Sequence, residues 1–91
     1  MVLHIIKYTH VYMRFTKRDA LLFLKVLSLS LKTLPFEISE LVKGLNVELE
    51  HGTINPLTNV TNDNLILTGK IALAHLLEDS EYYKKLAMIE K

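Results

Sequence analysis

Apolar residues recur at helical spacing along most of the chain. In the first such stretch they follow the i, i+3, i+4 rule that places side chains on one face of a helix. Thr16 and Asp19 have the spacing of a capping box, so we expect this helix to begin there. Pro35 disfavours helical geometry in the residue before it and is expected to end the helix at about Leu34. The apolar face consists of Ala20, Phe23, Leu24, Leu27 and Leu31.

A second helix is predicted from about Phe36 to His51. Gly44 lies inside it, where glycine costs about 1 kcal/mol relative to alanine. We expect it to leave room for another backbone to approach. Gly52 follows at the position of a C-terminal cap. The apolar stripe of this helix is Ile38, Leu41, Val42, Leu45 and Leu49.

Residues 52–64 form a polar connection without helical periodicity. Asn, Thr, Gly and Pro dominate it, and each of these residue types favours turns. A link of this length between two helices is uncommon in a small domain, and it is either held by side-chain hydrogen bonds or mobile. We expect the ordered alternative. Thr61, Asn62 and Asp63 are candidate caps for the helix that follows.

A third helix is predicted from about Asn64 to Leu77 and is apolar around nearly its whole circumference. Such a pattern is typical of a central, buried helix. A short final helix is expected after a cap at Asp79 or Ser80, ending near Lys91. The predicted fold is therefore all-α: a compact bundle of three to four helices with a long ordered loop at about 52–64.

Residues 1–13 are rich in β-branched and aromatic residues, but the rest of the chain offers no clear strand to pair with them. We therefore predict an N-terminal arm or appendage at 1–13 and a single helical domain at 14–91. The 91 residues are 49% hydrophobic and include no cysteine, which excludes disulfides and thiolate metal sites. No apolar run approaches the 20 or so residues of a membrane span, and no signal peptide is recognisable. An intracellular protein is expected.

Four segments carry a resemblance to a known family. They read GLNVELEHG at 44–52, TNVTND at 58–63, TGKIALAHL at 68–76 and YY at 82–83. Over about residues 15–91 the chain resembles an uncharacterised family of short helical proteins, a domain of unknown function found in bacteria, phages and large DNA viruses. The resemblance implies a helical fold and carries no particular activity. It is compatible with the expected cytoplasmic location, which for a viral protein would be the host cell or the virion. The chain departs from the family pattern at 63–65, where two acidic residues and a proline are usual, and at 79–81, where a proline commonly precedes the tyrosines.

Carboxylates and imidazoles on two predicted helices are the clearest candidate chemistry. Glu48 and His51 are three residues apart, as are His75 and Glu78, which places each pair on one helical face. Helical bundles that bind paired metals use Glu-x-x-His in this way with further carboxylates, and this ligand set suits Zn, Mn or Fe. The candidate ligands of a divalent metal are Glu48, Glu50, His51, Asp63, His75 and Glu78.

The favoured interpretation of the same residues is structural. A histidine on a buried helix, such as His75, can hydrogen-bond a loop carbonyl or a carboxylate. His51 near a helix C-terminus interacts favourably with the helix dipole when protonated. In this interpretation the Glu/His group is a polar clasp that holds loop 52–64 against the helices.

A basic stripe lies opposite the apolar face of the first predicted helix and could contact phosphates. A solvated helix face is the more ordinary explanation of such a stripe. The formal net charge of +1 is too small to argue for nucleic acid, and no nucleic-acid-binding motif is recognisable. Nucleic acid is therefore disfavoured as a partner. The stripe consists of Lys17, Arg18, Lys25 and Lys32.

Three classes of function stay open. The leading class is a non-enzymatic interaction or structural module that associates with itself or with another protein, because Leu21, Leu22 and Leu29 fall outside the main apolar stripe. The second is a metal-binding or metal-dependent protein that uses the Glu/His group. The third is a weak nucleic-acid binder that uses the basic stripe. No nucleophile–base–acid arrangement is recognisable, which favours a non-enzymatic role without excluding an enzyme.

Overall fold

The computed structural model describes residues 14–90, the side chain of residue 90 excepted. Within this range every regular element is helical, which confirms the predicted all-α bundle. The four α-helices are α1 (Lys17–Val26), α2 (Ile38–Val47), α3 (Leu65–Glu78) and α4 (Tyr82–Glu90), and two short 3-10 helices cover Leu31–Thr33 and Glu48–His51. The predicted arm at 1–13 lies outside the described residues. None of the described helices is both long enough and apolar enough to cross a membrane.

Helix α1 starts as predicted and ends eight residues early. The Thr16 hydroxyl accepts a hydrogen bond from the Asp19 amide, and the Thr16 amide donates to the Asp19 carboxylate, so the capping box is complete. The predicted continuation to Leu34 is wrong. Ser28 adopts a left-handed conformation (φ 57°), and the amide after it donates to the carbonyl of Leu24 at 2.9 Å. This is a Schellman motif, which ends a helix whatever the apolar pattern beyond it.

Helix α3 is the centre of the bundle, as its all-round apolar sequence predicted. It packs against α1, α2, α4 and the 3-10 helix Glu48–His51. Gly69 on α3 faces the ring of Phe23, and Gly44 on α2 faces the ring of Tyr83. The group that approaches Gly44 is therefore a side chain rather than the expected backbone. The buried core comprises Phe15, Ala20, Phe23, Leu24, Phe36, Leu41, Leu45, Leu49, Ala72, Leu76 and Tyr83.

The second predicted helix is confirmed as α2 followed without interruption by the 3-10 helix Glu48–His51. Gly52 caps it, and its amide donates to the carbonyl of Leu49 at 2.9 Å. The cap of α3 is Asn64, whose side chain accepts from the amide of Leu67 at 3.0 Å. Thr61, Asn62 and Asp63 are not the cap. The last two have φ of 53° and 62°, whereas a cap residue needs the extended backbone that Asn64 has.

Candidate functional site

A buried carboxyl group lies where the 3-10 helix Glu48–His51 meets α4. Glu48 is only 3% exposed, and its Oε2 accepts a hydrogen bond of 2.7 Å from the hydroxyl of Tyr83, which is 1% exposed. A buried carboxyl group without a partner would be costly. The Tyr83 hydroxyl satisfies one oxygen of Glu48 and fixes the orientation of the other.

Two imidazoles face the oxygens of Glu48 at the edge of the core. His51 Nε2 is 3.7 Å from Glu48 Oε1 and 3.6 Å from Glu50 Oε2. His75 Nε2 is 3.7 Å from Glu48 Oε2. These separations are close enough for electrostatic attraction but exceed the roughly 2.7–3.2 Å of a hydrogen bond. The imidazoles are therefore near the carboxylates without being hydrogen-bonded to them.

The 3-10 geometry explains why Glu48 and His51 meet. Residues i and i+3 of a 3-10 helix eclipse each other, so the two side chains project in the same direction. Candidate ligand atoms of Glu48, Glu50 and His51 all lie within 4.8 Å of one another. We call these three residues the Glu/His site. Sequence spacing predicted the Glu48–His51 pair, although on an α-helix.

The other predicted ligands take different positions. His75 reaches the Glu/His site through the second oxygen of Glu48. Its ring stacks on that of Tyr82, with centroids 4.1 Å apart and an angle of 8° between the planes. Glu78 is the exposed last residue of α3. Of the two adjacent tyrosines, Tyr83 packs inward and Tyr82 is half-buried.

The environment keeps the tyrosine hydroxyls protonated. Burial raises the pKa of Tyr83 far above its ordinary value of 10.0, and the neighbouring Glu48 carboxylate raises it further. Burial also raises the pKa of Tyr82, followed by the negative charges of Glu48, Glu50 and Glu78. At neutral pH Tyr83 is therefore a hydrogen-bond donor to Glu48.

Asp63 holds the loop closed rather than joining the Glu/His site. Its carboxylate accepts hydrogen bonds from the amide (2.9 Å) and hydroxyl (2.5 Å) of Thr53 and forms an ion pair of 2.9 Å with Arg14. The Thr53 hydroxyl, the Thr53 amide and Arg14 together lower the pKa of Asp63. A side chain at position 52 would collide with this carboxylate, which explains Gly52 better than backbone freedom does.

The second anchor of the loop is the backbone of His51. Its carbonyl accepts hydrogen bonds from the amides of Val60 (2.6 Å) and Thr61 (3.1 Å). The loop is thus ordered, as expected. The groups that hold it are the Asp63 carboxylate and the His51 carbonyl, whereas the clasp hypothesis assigned this role to the Glu/His side chains.

Sequence reasoning missed Asn46, which joins the start of α1 to α2. Its side-chain amide donates to the carbonyl of Phe15 at 2.8 Å, and its oxygen accepts from the amide of the same residue at 3.0 Å. Both backbone groups of Phe15 are therefore satisfied by a single side chain. Asparagine is unfavourable inside a helix, and that was the only available signal.

The solvent face of α1 combines basic and apolar side chains. Lys17, Arg18 and Lys25 are exposed on α1, but Lys32 lies on a separate 3-10 helix beyond the Schellman turn. The predicted basic stripe is therefore not on a single helix. Large apolar side chains are also exposed on α1: Leu21 by 44%, Leu22 by 49% and Val26 by 57%. Leu29, which we expected to be surplus, packs against the core.

A comparison with known families covers nearly the whole chain. The model of a family described as protein of unknown function (DUF5661) matches residues 9–91. Neither a curated protein nor a solved structure matches the chain. The match starts earlier than residue 15, where the resemblance began, and it includes every residue of the Glu/His site. The family description carries no activity.

Proposed function

Since the chain belongs to the DUF5661 family of unknown function, we propose its role from the geometry: a non-enzymatic module that binds a partner protein through α1. The surface concerned is the solvent face of α1, formed by Arg18, Leu21, Leu22, Lys25 and Val26. Residues three and four apart lie side by side on a helix, so these five form one continuous strip.

The apolar character of this strip supports the proposal. The opposite side of α1 carries Ala20, Phe23 and Leu24 in the core, so the helix is apolar on both sides. A helix with that pattern is normally covered on both sides. Large apolar side chains grouped on one solvent-exposed face mark interaction sites. This is the observation that carries the proposed function.

Charge favours a different protein over a second copy of this chain. Arg18 and Lys25 lie between Leu21 and Leu22 around the helix, and a two-fold symmetric pairing through this strip would bring positive charges together. Like charges in an interface are unfavourable, whereas carboxylates of a partner would pair with them. The expected partner surface is an apolar patch that also carries Asp or Glu.

The test compares Leu22→Gln with Leu77→Gln. The two leucines are 49% and 56% exposed, on α1 and α3 respectively, so the second variant controls for removing any exposed leucine. We expect the wild type and Leu77→Gln to capture the partner protein. Leu22→Gln should fail to capture it. Calorimetry on the purified pair should then show an affinity that falls as salt is raised.

Three results would overturn the proposal. The first is that Leu22→Gln and Leu77→Gln capture the partner protein equally well. Another is sedimentation that shows a dimer of this chain which Leu22→Gln dissociates. A third is salt-dependent binding of a DNA duplex that Arg18→Gln weakens and Leu22→Gln leaves intact, which would favour nucleic acid instead.

A further inference from the structure

The Glu/His site uses no residue of α1 and has its own chemistry. We propose that it binds a Zn²⁺ ion through Glu48, Glu50 and His51, with Tyr83, which hydrogen-bonds the carboxylate of Glu48, and His75, which lies beside that carboxylate, as positioning residues. Carboxylate oxygen and imidazole nitrogen are both ligands of this ion. Three protein ligands leave a coordination position for water.

The distances from His51 to the two carboxylates suit ion pairs and also lie near the spacing of ligands around one metal. Two ligands of a tetrahedral Zn²⁺ ion with bonds of about 2.0–2.1 Å are separated by about 3.3–3.5 Å. His51 Nε2 lies 3.7 Å from Glu48 Oε1 and 3.6 Å from Glu50 Oε2. These groups are too far apart to hydrogen-bond each other and within a few tenths of an ångström of the spacing around the ion.

Burial divides the site into a fixed part and an adjustable part. The side chain of Glu48 is 4% exposed and is held by Tyr83, so its Oε1 is presented in a set direction. The side chain of His51 is 43% exposed, so it can turn by the small amount that ligation requires without disturbing the core, and the side chain of Glu50 is 20% exposed at the edge of the site. A carboxylate removed from water also attracts a cation more strongly than an exposed one does.

His75 and Tyr83 complete the surroundings of the first ligand. Both approach Glu48 Oε2, the oxygen that faces away from His51. Groups that orient a ligating carboxylate in this way typically contribute about 10–100-fold to metal affinity. The stack of His75 on Tyr82 keeps the imidazole in place.

The site is also joined to the loop through the backbone. The His51 carbonyl accepts from the amides of Val60 and Thr61, so an ion that holds the His51 side chain should steady these hydrogen bonds. Ligand binding to the folded state suppresses opening of the bonds near it. Zn²⁺ should therefore slow hydrogen exchange at these two amides, which gives a readout besides affinity.

The experiment is equilibrium dialysis of the purified protein against Zn²⁺ with elemental analysis, followed by competition calorimetry. We expect one Zn²⁺ per chain. Glu50→Gln and His51→Asn should each weaken binding about tenfold or more. Glu78→Gln is the matched control, because Glu78 is also three residues from a histidine, His75, but lies outside the Glu/His site. This variant should bind Zn²⁺ as the wild type does. Mg²⁺ at the same concentration should not bind, because it prefers all-oxygen ligands.

Three outcomes would overturn the site: no stoichiometric Zn²⁺ in the wild type, binding that both ligand variants retain, or binding that Glu78→Gln abolishes. Circular dichroism checks that each variant is folded. NMR of the wild type provides a measurement that needs no variant. The ring protons of His51 must shift when Zn²⁺ is added, and unchanged signals would contradict ligation.

Discussion

Removing the Tyr83 hydroxyl isolates the interaction that supports the buried carboxyl group of Glu48. Tyr83→Phe keeps the ring that packs against Gly44 and deletes only the donor of the 2.7 Å hydrogen bond. Hydrogen bonds to charged groups contribute about 1.5–3 kcal/mol, and a buried acceptor that loses its donor also keeps its desolvation cost. Since Glu48 is 3% exposed, water cannot readily replace the donor. We expect the free energy of unfolding to fall by about 2–3 kcal/mol.

That loss is large for a domain of this size. Stabilities of roughly 0.05–0.15 kcal/mol per residue give a total of about 5–14 kcal/mol for such a chain. A loss of about 2 kcal/mol corresponds to a decrease in Tm of about 8–16 °C. Tyr82→Phe is the matched control, because it removes the same atom from a half-buried ring where solvent is nearby. We expect it to cost less than about 1 kcal/mol.

The assay is urea unfolding followed by circular dichroism, extended to a double-mutant cycle with Glu48→Gln. A neutral amide is less costly than a carboxylate to leave without its donor, so Glu48→Gln should recover part of the loss in the Tyr83→Phe background. The two substitutions should therefore be non-additive. Equal effects of Tyr83→Phe and Tyr82→Phe, or strict additivity in the cycle, would refute this account of the site.

Three further substitutions test the packing and the loop. A Cβ at Gly69 would lie under 3.0 Å from three atoms of the buried Phe23 ring, so Gly69→Ala should lower the free energy of unfolding in urea by about 1–3 kcal/mol despite the better helix propensity of alanine. The Thr68 hydroxyl is buried with no hydrogen-bond partner among the described residues, so Thr68→Val should raise stability by about 1 kcal/mol in thermal unfolding. Hydrogen bonds from Thr53 lower the pKa of Asp63 from 3.8, so its carboxylate stabilises the fold fully above pH 3.8 and progressively less as pH falls through the lower folded pKa. Asp63→Asn should destabilise at pH 7, and its difference from the wild type should shrink below pH 3.8.

Each of these three predictions has a clear contrary result. A Gly69→Ala protein as stable as the wild type would mean that the Phe23 ring moves aside without cost. Destabilisation by Thr68→Val would mean that the hydroxyl has a partner, such as an ordered water. Asn tolerates left-handed backbone well, so Asp63→Asn preserves the turn. A stability difference that stays constant from pH 7 to pH 2 would show that the Asp63 charge contributes nothing.

The sequence predicted those helices whose boundaries are set by residues close together along the chain. The apolar stripes are clear enough to place α3, and α2 together with the 3-10 helix Glu48–His51, within two residues. The capping box of Thr16 and Asp19 marks the start of α1. The end of α1 was missed because apolar residues continue at helical spacing beyond it. A Schellman motif usually has glycine in the left-handed position, and here Ser28 occupies it, so the usual signal was missing.

The candidate site was predictable to the extent that it is built from one short segment. Glu48 and His51 are neighbours along the helix, and their spacing predicted their contact. The Tyr83 hydroxyl reaches Glu48 from 35 residues away, and no local pattern encodes that meeting. Asp63 was predicted as a ligand by residue type alone. Its two partners, Arg14 and Thr53, depend on how the loop folds back.

The placement of Glu48 bears on function because stability alone does not account for it. Burying a carboxyl group is costly, and a buried polar pair can usually be replaced by well-packed apolar residues without loss of stability. A small domain has little stability to spare. Yet here the carboxyl group is held by Tyr83 on one oxygen and faces an imidazole on the other, at an edge that His51 leaves open to solvent. The arrangement holds one oxygen of Glu48 in a fixed direction toward a partly exposed imidazole, which is the geometry that the proposed Zn²⁺ site would use.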